Sequence, residues 1–568
     1  MSFFDDASLL QIPSGYKDDK LYSIKPTDGA GDFTFSRDGS GASVATRINS
    51  SGLIEKGHTN QVLKSNNFGD GTWVQSATTR TSGQDGYDGT NDAWEITRSS
   101  SGAMALQQTQ TLSGVYTFSI YVKINTANGI GLNFGSLGAG QYARFNISDE
   151  DQTAAATEVG LIASTQTYVG NDFYRLSITA NTTQTSVRLY TTNADGTAGV
   201  STGATYIIQD AQVQKGLVMT DYIETDAAEA SAGLLGDMPR LDYSDGASCP
   251  CVLMEPAREN KFTHSEYFGA WTAQAGITIT DNTTETLSPE GVNNAAKITS
   301  TDGTTGFYLT DLSITNPASR TIYLKGAAGG ESISLKDGSG NGGTTSITLT
   351  TEWVRYEHKT TNTGDTYQGL FVDDIPSGAT IYAYGAQFEE HPNATAAEAN
   401  ATSYVPTYGT AVERAYDVTS ELTYDDDLTS VVLFGEITMA DAVRDASGYN
   451  IRLRKASGSG SFLAIYRNSE SSKRMAAFRV ANNSNTALID QETTAEHVKI
   501  AMQYNAGNGS VKVFVNGSNA LASSITDPDF DEFVKFQLSG QQGTMKVHQF
   551  AALKATYTND ELATLTTL

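Results

Sequence analysis

Along most of the chain, apolar and polar residues alternate in runs such as Tyr116-Thr-Phe-Ser-Ile-Tyr-Val-Lys123, separated by clusters of Gly, Asn, Asp, Ser and Thr. A period of two places every second side chain on one face of a pleated strand, so the texture predicts stacked β-sandwiches, an all-β fold. Helical spacing is scarce. Its clearest instance is the end, Thr558 to Leu568, where Thr558 and Glu561 have capping-box spacing and predict one short helix. Late in the chain, two alternating runs, His497 to Tyr504 and Ser510 to Val515, flank a hairpin turn at Asn505 to Gly509, and Asn516-Gly517 marks the next tight turn.

An internal repeat organises the first three quarters. Leu53-Ile-Glu55-Lys-Gly-His-Thr-Asn60 is answered by Leu253-Met-Glu255-Pro-Ala-Arg-Glu-Asn260, and both lead through Phe-Gly to a tryptophan, Trp73 or Trp271. Ile120-Tyr121-Val-Lys123 is answered by Ile322-Tyr323-Leu-Lys325, and Asp172-Phe173-Tyr-Arg175 by Glu352-Trp353-Val-Arg355. Each copy closes on a tyrosine, Tyr222 or Tyr404. The expected organisation is an attachment segment over 1–56, one sandwich over 57–235, a second over 236–415, and a third β domain over 416–568.

The length, 568 residues, suits several domains that each bury a core. Against 64 Asp plus Glu stand 37 Lys plus Arg, a formal net charge of −27, which argues against nucleic acid and against an anionic membrane as general partners. No run of about 18 apolar residues appears and the first residues lack a cationic leader, so the expectation is a soluble chain without membrane insertion or export signal. Cys249 and Cys251 are too few for a disulfide framework and are expected as plain thiols on a strand. Neither a phosphate-binding loop nor a His-Glu-x-x-His pair occurs, and none of the six histidines is spaced i, i+4 from another. The expectation is a protein without enzymatic activity; a polysaccharide hydrolase, which needs only two facing carboxylates, stands third among the readings.

Sugar binding on a sheet calls for flat aromatic faces beside hydrogen-bonding groups. Trp73 and Trp271 are expected in the cores. On the run Ile381 to Ala386, Tyr382 and Tyr384 share one face, where the first copy has Ile207 and Gln209. Burying an unpaired amide at Gln209 would be costly, so the face is expected to be an open groove, with Tyr382, Tyr384, Trp353 and Arg355 as glycan-binding candidates. The stretch 444–479 is basic, and Arg452, Arg454 and Lys455 are either a solvated face or a docking site for an acidic surface. Asp527, Asp529 and Asp531 alternate as oxygen ligands for calcium would, without the glycine of an EF-hand loop; no other cofactor is expected.

Phe33-Thr-Phe-Ser-Arg37, Ala45-Thr-Arg47-Ile-Asn49, Gly52-Leu-Ile-Glu55, Pro239-Arg-Leu-Asp242-Tyr243 and Leu253-Met-Glu255-Pro-Ala-Arg258-Glu-Asn260 together resemble bacteriophage virion proteins, the modular tail or head fibres and appendages. The continuations His264 to Trp271, Tyr384 to Glu390 and Ser403 to Thr407 are similar to carbohydrate-binding jelly rolls, and the end of the chain looks like a concanavalin-A-like or laminin-G-like sandwich. In such proteins the Gly-Leu-Ile-Glu segment commonly runs straight into Pro-Arg-Leu-Asp-Tyr, so the first sandwich here looks like an inserted duplicate. The resemblance implies a structural component on the surface of a virus particle, assembled in the host cytoplasm beside other virion proteins. It further implies a homotrimer and attachment to host surface polysaccharide. A capsid or tail decoration that binds no glycan is the alternative.

Overall fold

The computed structural model describes residues 3–37, 43–100, 105–136, 140–147, 156–192, 202–246, 249–312, 314–338, 343–360, 368–392, 399–423, 430–439, 450–455, 462–467, 475–481, 486–492, 496–505, 507–524, 533–541 and 543–568. They form three β-sandwiches and, at the end, the helix Asn559–Thr566, whose capping box pairs Thr558 with Glu561. The hairpin at 505–510 and the turn at Asn516-Gly517, both residues with positive φ, lie where the sequence puts them.

In the first sandwich, one six-stranded sheet runs in the order Ala163–Gly170, Phe173–Thr182, Gly114–Ile124, Thr205–Lys215, Ala93–Arg98 and Thr78–Gln84. The other runs Thr157–Val159, Gln141–Phe145, Gly129–Phe134, Ser186–Thr192, Ala105–Thr109 and Val74–Ser76. The second sandwich packs a five-stranded sheet, Ile277–Thr280, Ala296–Ser300, Thr380–Glu390, Ala318–Gly326 and Val354–Thr360, on another, Thr272–Ala273, Phe307–Leu312, Gln368–Asp373, Ser332–Lys336 and Thr344–Thr348.

The repeat holds at the level of single hydrogen bonds. Asn60 Nδ2 donates to Ala211 O (3.0 Å) and Ile223 O (2.8 Å), and Asn260 Nδ2 donates to Ala386 O (3.1 Å) and Val405 O (2.8 Å). Both tryptophans are buried and cap the chain before them, Trp73 Nε1 to Lys64 O at 3.1 Å and Trp271 Nε1 to His264 O at 2.9 Å. The strand that closes each core is bulged at one residue of positive φ, Asp210 in the first copy and Gly385 in the second.

The third sandwich is assembled from three separate stretches of sequence. Its eight-stranded sheet contains Ser430–Met439, His497–Asn505, Ser510–Val515, Ser518–Ser524 and Met545–Leu553, but also Ala7–Gln11, Leu241–Asp242 and Cys251–Met254. Leu9 lies opposite Ala552 and Val252 opposite Val547. Facing it is the sheet Leu422–Thr423, Phe533–Leu538, Ile451–Lys455, Phe462–Arg467, Met475–Ala481 and Thr486–Glu492. Residues 1–56 are therefore not a separate attachment segment, and the third domain does not start at 416. Leu9, Leu21, Phe33, Phe35, Leu241, Val252 and Met254 are buried in the same core as Leu433, Ile500 and Val547. Alternation identifies strands but carries no record of a partner more than 500 residues away. Both jelly rolls are insertions into this sandwich.

Where the insertions leave and rejoin it, five charged side chains meet out of water. Arg37 Nη1 lies 2.6 Å from Asp417 Oδ1, Arg240 pairs with both Asp417 and Glu255, and Arg414 Nη1 lies 3.0 Å from Glu255 Oε2. The Glu255 backbone N–H donates to Asp417 Oδ2 at 2.9 Å. Burial works against both carboxylates, yet Arg414 and Arg240 hold Glu255, and Arg240 and Arg37 hold Asp417, below the usual carboxylate range.

A fragment beginning at 416 lacks core side chains worth about 1.5–3 kcal/mol each, which together exceed the ~5–15 kcal/mol stability of a typical domain. It is expected to show no cooperative urea transition by circular dichroism, whereas 57–235 alone unfolds cooperatively; a cooperative 416–568 fragment would refute the three-stretch assembly. Asp417→Ala leaves buried arginines uncompensated and is expected to cost about 3–5 kcal/mol in the full chain, read as a lowered denaturation midpoint of the third sandwich.

Candidate functional site

The tyrosine face expected to be a groove is closed. Tyr384 is fully buried against Ile54 and Tyr404, and its hydroxyl donates to Glu290 and, at 3.3 Å, to Glu266 Oε1. The Tyr382 hydroxyl donates to Glu285 Oε2 at 2.9 Å; burial, with that bond, pushes it up to about 12. Trp353 Nε1 donates to Leu287 O at 2.8 Å, and Arg355 Nη1 to Thr402 O at 2.7 Å while its guanidinium lies over Tyr323. The backbone of Ile54 bonds to Pro289 O, so the segments around 54 and 285–290 cover this face. The expectation fails at its premise about Gln209. That amide is buried but paired: Nε2 donates to Asp92 Oδ1 (2.9 Å) and Asp88 Oδ1 (3.2 Å), and Oε1 accepts from the Tyr87 N–H (3.0 Å).

Beside Gln209, Tyr87 stacks on Tyr121 at 3.8 Å, and its hydroxyl donates to Asp210 Oδ2 at 3.0 Å. Burial, with Asp92 and Asp88 adding to it against the Tyr87 hydrogen bond, pushes the Asp210 carboxyl up to about 7.

A cleft of about 540 Å³ lies between the two jelly rolls, lined among others by Arg175, Tyr222, Lys56, Glu290, Asn294 and Tyr408. At its wall the Lys56 ammonium lies 2.7 Å from Glu266 Oε1 and 2.7 Å from the Tyr408 hydroxyl, and pairs with Glu290. Although burial alone would lower it, Glu266 and Glu290 hold the lysine above its ordinary value; burial with the Lys56 charge pushes His58 down to about 4. Tyr404 and Tyr408 also donate to Glu266, at 3.0 and 3.1 Å. Two carboxylates fixed by one lysine and by tyrosines make a clamp between modules. Glu266, with no exposed surface, is out of reach of a sugar. Sequence reasoning missed this cluster, since the first copy has Asn66 in place of Glu266.

The arrangement best suited to a ligand lies on the outer face of the other sheet of the first sandwich. Val187, Leu189, Leu132, Ala143 and Phe145 point into the core, so alternation turns Arg188, Tyr190, Asn133, Tyr142 and Arg144 to the other side; of these Tyr142, Arg144 and Arg188 are partly exposed, while Asn133 and Tyr190 are buried. Register aligns Val159, Tyr142, Asn133, Arg188, Gln107 and Val74 in one row across all six strands. The next row carries Arg144, Gly131 and Tyr190. A Cβ on Gly131 would meet the Tyr190 ring at 2.2 Å, so glycine lets that ring lie on the sheet. The Arg144 guanidinium lies over the Tyr142 ring at 4.8 Å. Arg144 Nε, Arg188 Nε and the Tyr190 hydroxyl are buried without a hydrogen-bond partner. Among the described residues no carboxylate pairs with either arginine. In the second sandwich the corresponding row is Thr344, Lys336, Phe371, Tyr308 and Thr272, where Tyr308 and Phe371 stack at 4.5 Å and Lys336 is paired with Asp373 at 2.7 Å. The runs Gln141 to Phe145 and Ser186 to Tyr190 carried this signal, since each alternates apolar residues with tyrosine and arginine.

The basic candidates are occupied within their own domain. Arg454 pairs with Glu421, and Arg452 Nη2 donates to Gln537 Oε1 at 2.7 Å with Glu421 at 3.8 Å. Lys455 closes the same strand, Ile451–Lys455. Of the two readings, a free docking surface at Arg452 and Arg454 is the one corrected, because Glu421, just before Leu422–Thr423 of the same sheet, neutralises them. Asp527, Asp529 and Asp531 lie outside the described residues. Among those described, no group of three or more His, Cys, Asp or Glu is placed to hold a metal. Cys251 lies buried on its strand and Cys249 is exposed before it; burial, with Asp242 adding to it, pushes the Cys251 thiol up to about 12. No helix among the described residues is long and apolar enough to cross a membrane.

No protein-family profile matches the chain. No curated protein matches it either. Among solved structures it is similar to the tandem CBM22-1–CBM22-2 domains of Paenibacillus barcinonensis Xyn10C, at 14% identity over 62% of this chain and 100% of that one, with a TM-score of 0.21. It is also similar to the xylan-binding CBM22-1 domain of the same protein, at 16% identity over 24% of this chain and 94% of that one (TM-score 0.20). A third similarity is to the binding domain of botulinum neurotoxin DC in complex with rat synaptotagmin II, at 13% identity and a TM-score of 0.22; there the match covers 26% of this chain and 39% of the toxin chain.

Asp210 binds its proton more tightly in the folded chain than at its ordinary value of 3.8, so its contribution to stability is full below pH 4 and is lost as pH rises towards 7. Asparagine tolerates the same positive φ and stays neutral. Asp210→Asn is expected to match the parent near pH 4 and to exceed it by about 1–3 kcal/mol at pH 8, measured by urea denaturation of the first sandwich.

Proposed function

We propose that the protein is a non-enzymatic glycan-binding component of a bacteriophage particle, a fibre or appendage on the virion surface. Its first jelly roll holds host surface polysaccharide on the Tyr142–Arg188 row. The observation that carries the glycan part is the partly exposed portion of that face: the Tyr142 ring with the Arg144 guanidinium over it, Arg188 and Gln107 side by side, and among the described residues no carboxylate paired with either arginine. Pyranose rings present C–H faces that stack on such rings and hydroxyls that bond such groups.

The particle part rests on the sequence resemblance. Arg37, Arg240 and Glu255, three residues of the resembling segments, are the ones that join the third sandwich to its insertions. None of the similarities to solved structures bears on a virus. A trimer assembled with other virion proteins in the host cytoplasm would multiply weak single sites into avidity. The absence of catalysis is part of the proposal, supported by the engagement of Glu266 and Glu290 with Lys56.

The test is binding of the full chain to an array of bacterial surface polysaccharides. Tyr142→Ala is expected to lose binding by about tenfold or more with an unchanged melting temperature, while Tyr382→Phe binds as the parent does. Parent-like binding by Tyr142→Ala would refute the assignment of this face.

A further inference from the structure

We propose that the row selects acidic polysaccharides, and that Arg144 and Arg188 each receive a sugar carboxylate. This deepens the glycan reading and rests on it. The argument begins from the scarcity of unpaired cations in a chain with 64 acidic and 37 basic residues. Elsewhere most of the described arginines find anions or backbone: Arg47 lies 2.9 Å from Glu55, Arg454 pairs with Glu421, the central arginines hold Asp417 and Glu255, and Arg80 Nη1 donates to Trp73 O at 2.9 Å, whereas Arg175 donates to the Ser119 hydroxyl at 3.2 Å and lies over Tyr121. On this face two guanidinium groups share one sheet, and among the described residues no carboxylate pairs with either.

A half-buried guanidinium has lost part of its hydration and gains most from a planar anion that accepts two of its N–H groups together. Register fixes how the two are spaced. Arg188 faces Asn133, Arg144 faces Gly131, and Asn133 and Gly131 are two residues apart on the strand between them. Strands about 4.8 Å apart with about 6.8 Å per two residues set the two Cα atoms on the order of 12 Å apart. That diagonal accommodates two acid groups of one polymer, with the partly exposed Tyr142 ring beside the intervening sugars. The field of a chain carrying −27 opposes any polyanion, so the preference for an acidic glycan over a nucleic acid rests on the planar carboxylate, which matches a guanidinium fork, and on the ring hydroxyls between acid groups, which Gln107 can bond.

The test uses affinity electrophoresis of the full chain in gels containing polygalacturonate, alginate or hyaluronate, each paired with its carboxyl-reduced form, and a parallel titration with single-stranded RNA. The parent is expected to bind at least one acidic polymer about tenfold more tightly than its reduced form, with affinity falling as salt rises. Arg144→Gln and Arg188→Gln, which remove the charge and keep a polar amide, are expected to abolish that preference and the salt dependence with the melting temperature unchanged. Equal binding to acidic and reduced polymers overturns the acid assignment and leaves the glycan reading standing. Binding to none of them overturns both, and tighter binding to RNA than to any polysaccharide overturns the choice of ligand.

Discussion

The fold depends on two carboxylates kept ionised out of water. Asp417 and Glu255 sit among Arg37, Arg240 and Arg414, all five nearly or wholly without exposed surface. Desolvating such charges costs several kcal/mol for each ion unless geometry and further hydrogen bonds return it. Here they are supplied by Ser403, whose hydroxyl contacts Glu255, Arg240 and Arg414, and by the Glu255 backbone N–H on Asp417. These pairings tie the three stretches of chain to one another, with Arg414 Nε alone in the cluster left without a partner. The cluster therefore acts as a register lock at the crossing where each insertion departs and returns.

From that crossing the two jelly rolls diverge in how they use equivalent surfaces. In the second, the face bearing Tyr382 and Tyr384 is covered by the connecting segment at Ile54 and by residues 285–290; in the first, the equivalent face holds Gln209 and Asp210 in a hydrogen-bonded patch. The outer faces diverge in the opposite sense. The second pairs Lys336 with Asp373 and stacks Tyr308 on Phe371, and in the first no described carboxylate pairs with Arg144 or Arg188. A duplicated scaffold has thus kept its bonds at Asn60 and Asn260 while the chemistry around them changed.

Much of this was legible in the sequence because strand alternation, turn residues and the Thr558–Glu561 cap are local signals. The repeat was legible too, and Trp73 and Trp271 are core residues as expected. What the sequence could not carry was partnership. Ala7–Gln11 reads as a strand, but its neighbour Met545–Leu553 is at the other end of the chain. Tyr384 occupies the predicted face, but whether a sheet face is open depends on which distant segment lies on it. Gln209 was judged by the cost of a lone buried amide, and Asp88 and Asp92 remove that cost. Arg452 and Arg454 stand on one strand face as read, with Glu421 beside them.

Because Ala7 lies opposite Leu553 in an antiparallel pair, the two ends of the chain leave the same end of one short ladder. Tension applied between them would peel that ladder one rung at a time, beginning at this pair and proceeding towards Gln11 and Phe550. Both jelly rolls lie outside that load path, looped out between residues that stay clamped at Asp417 and Glu255. A pull that opens the terminal strand would therefore leave the Tyr142–Arg188 face undistorted, so that the proposed grip and mechanical yielding fall to different parts of one molecule.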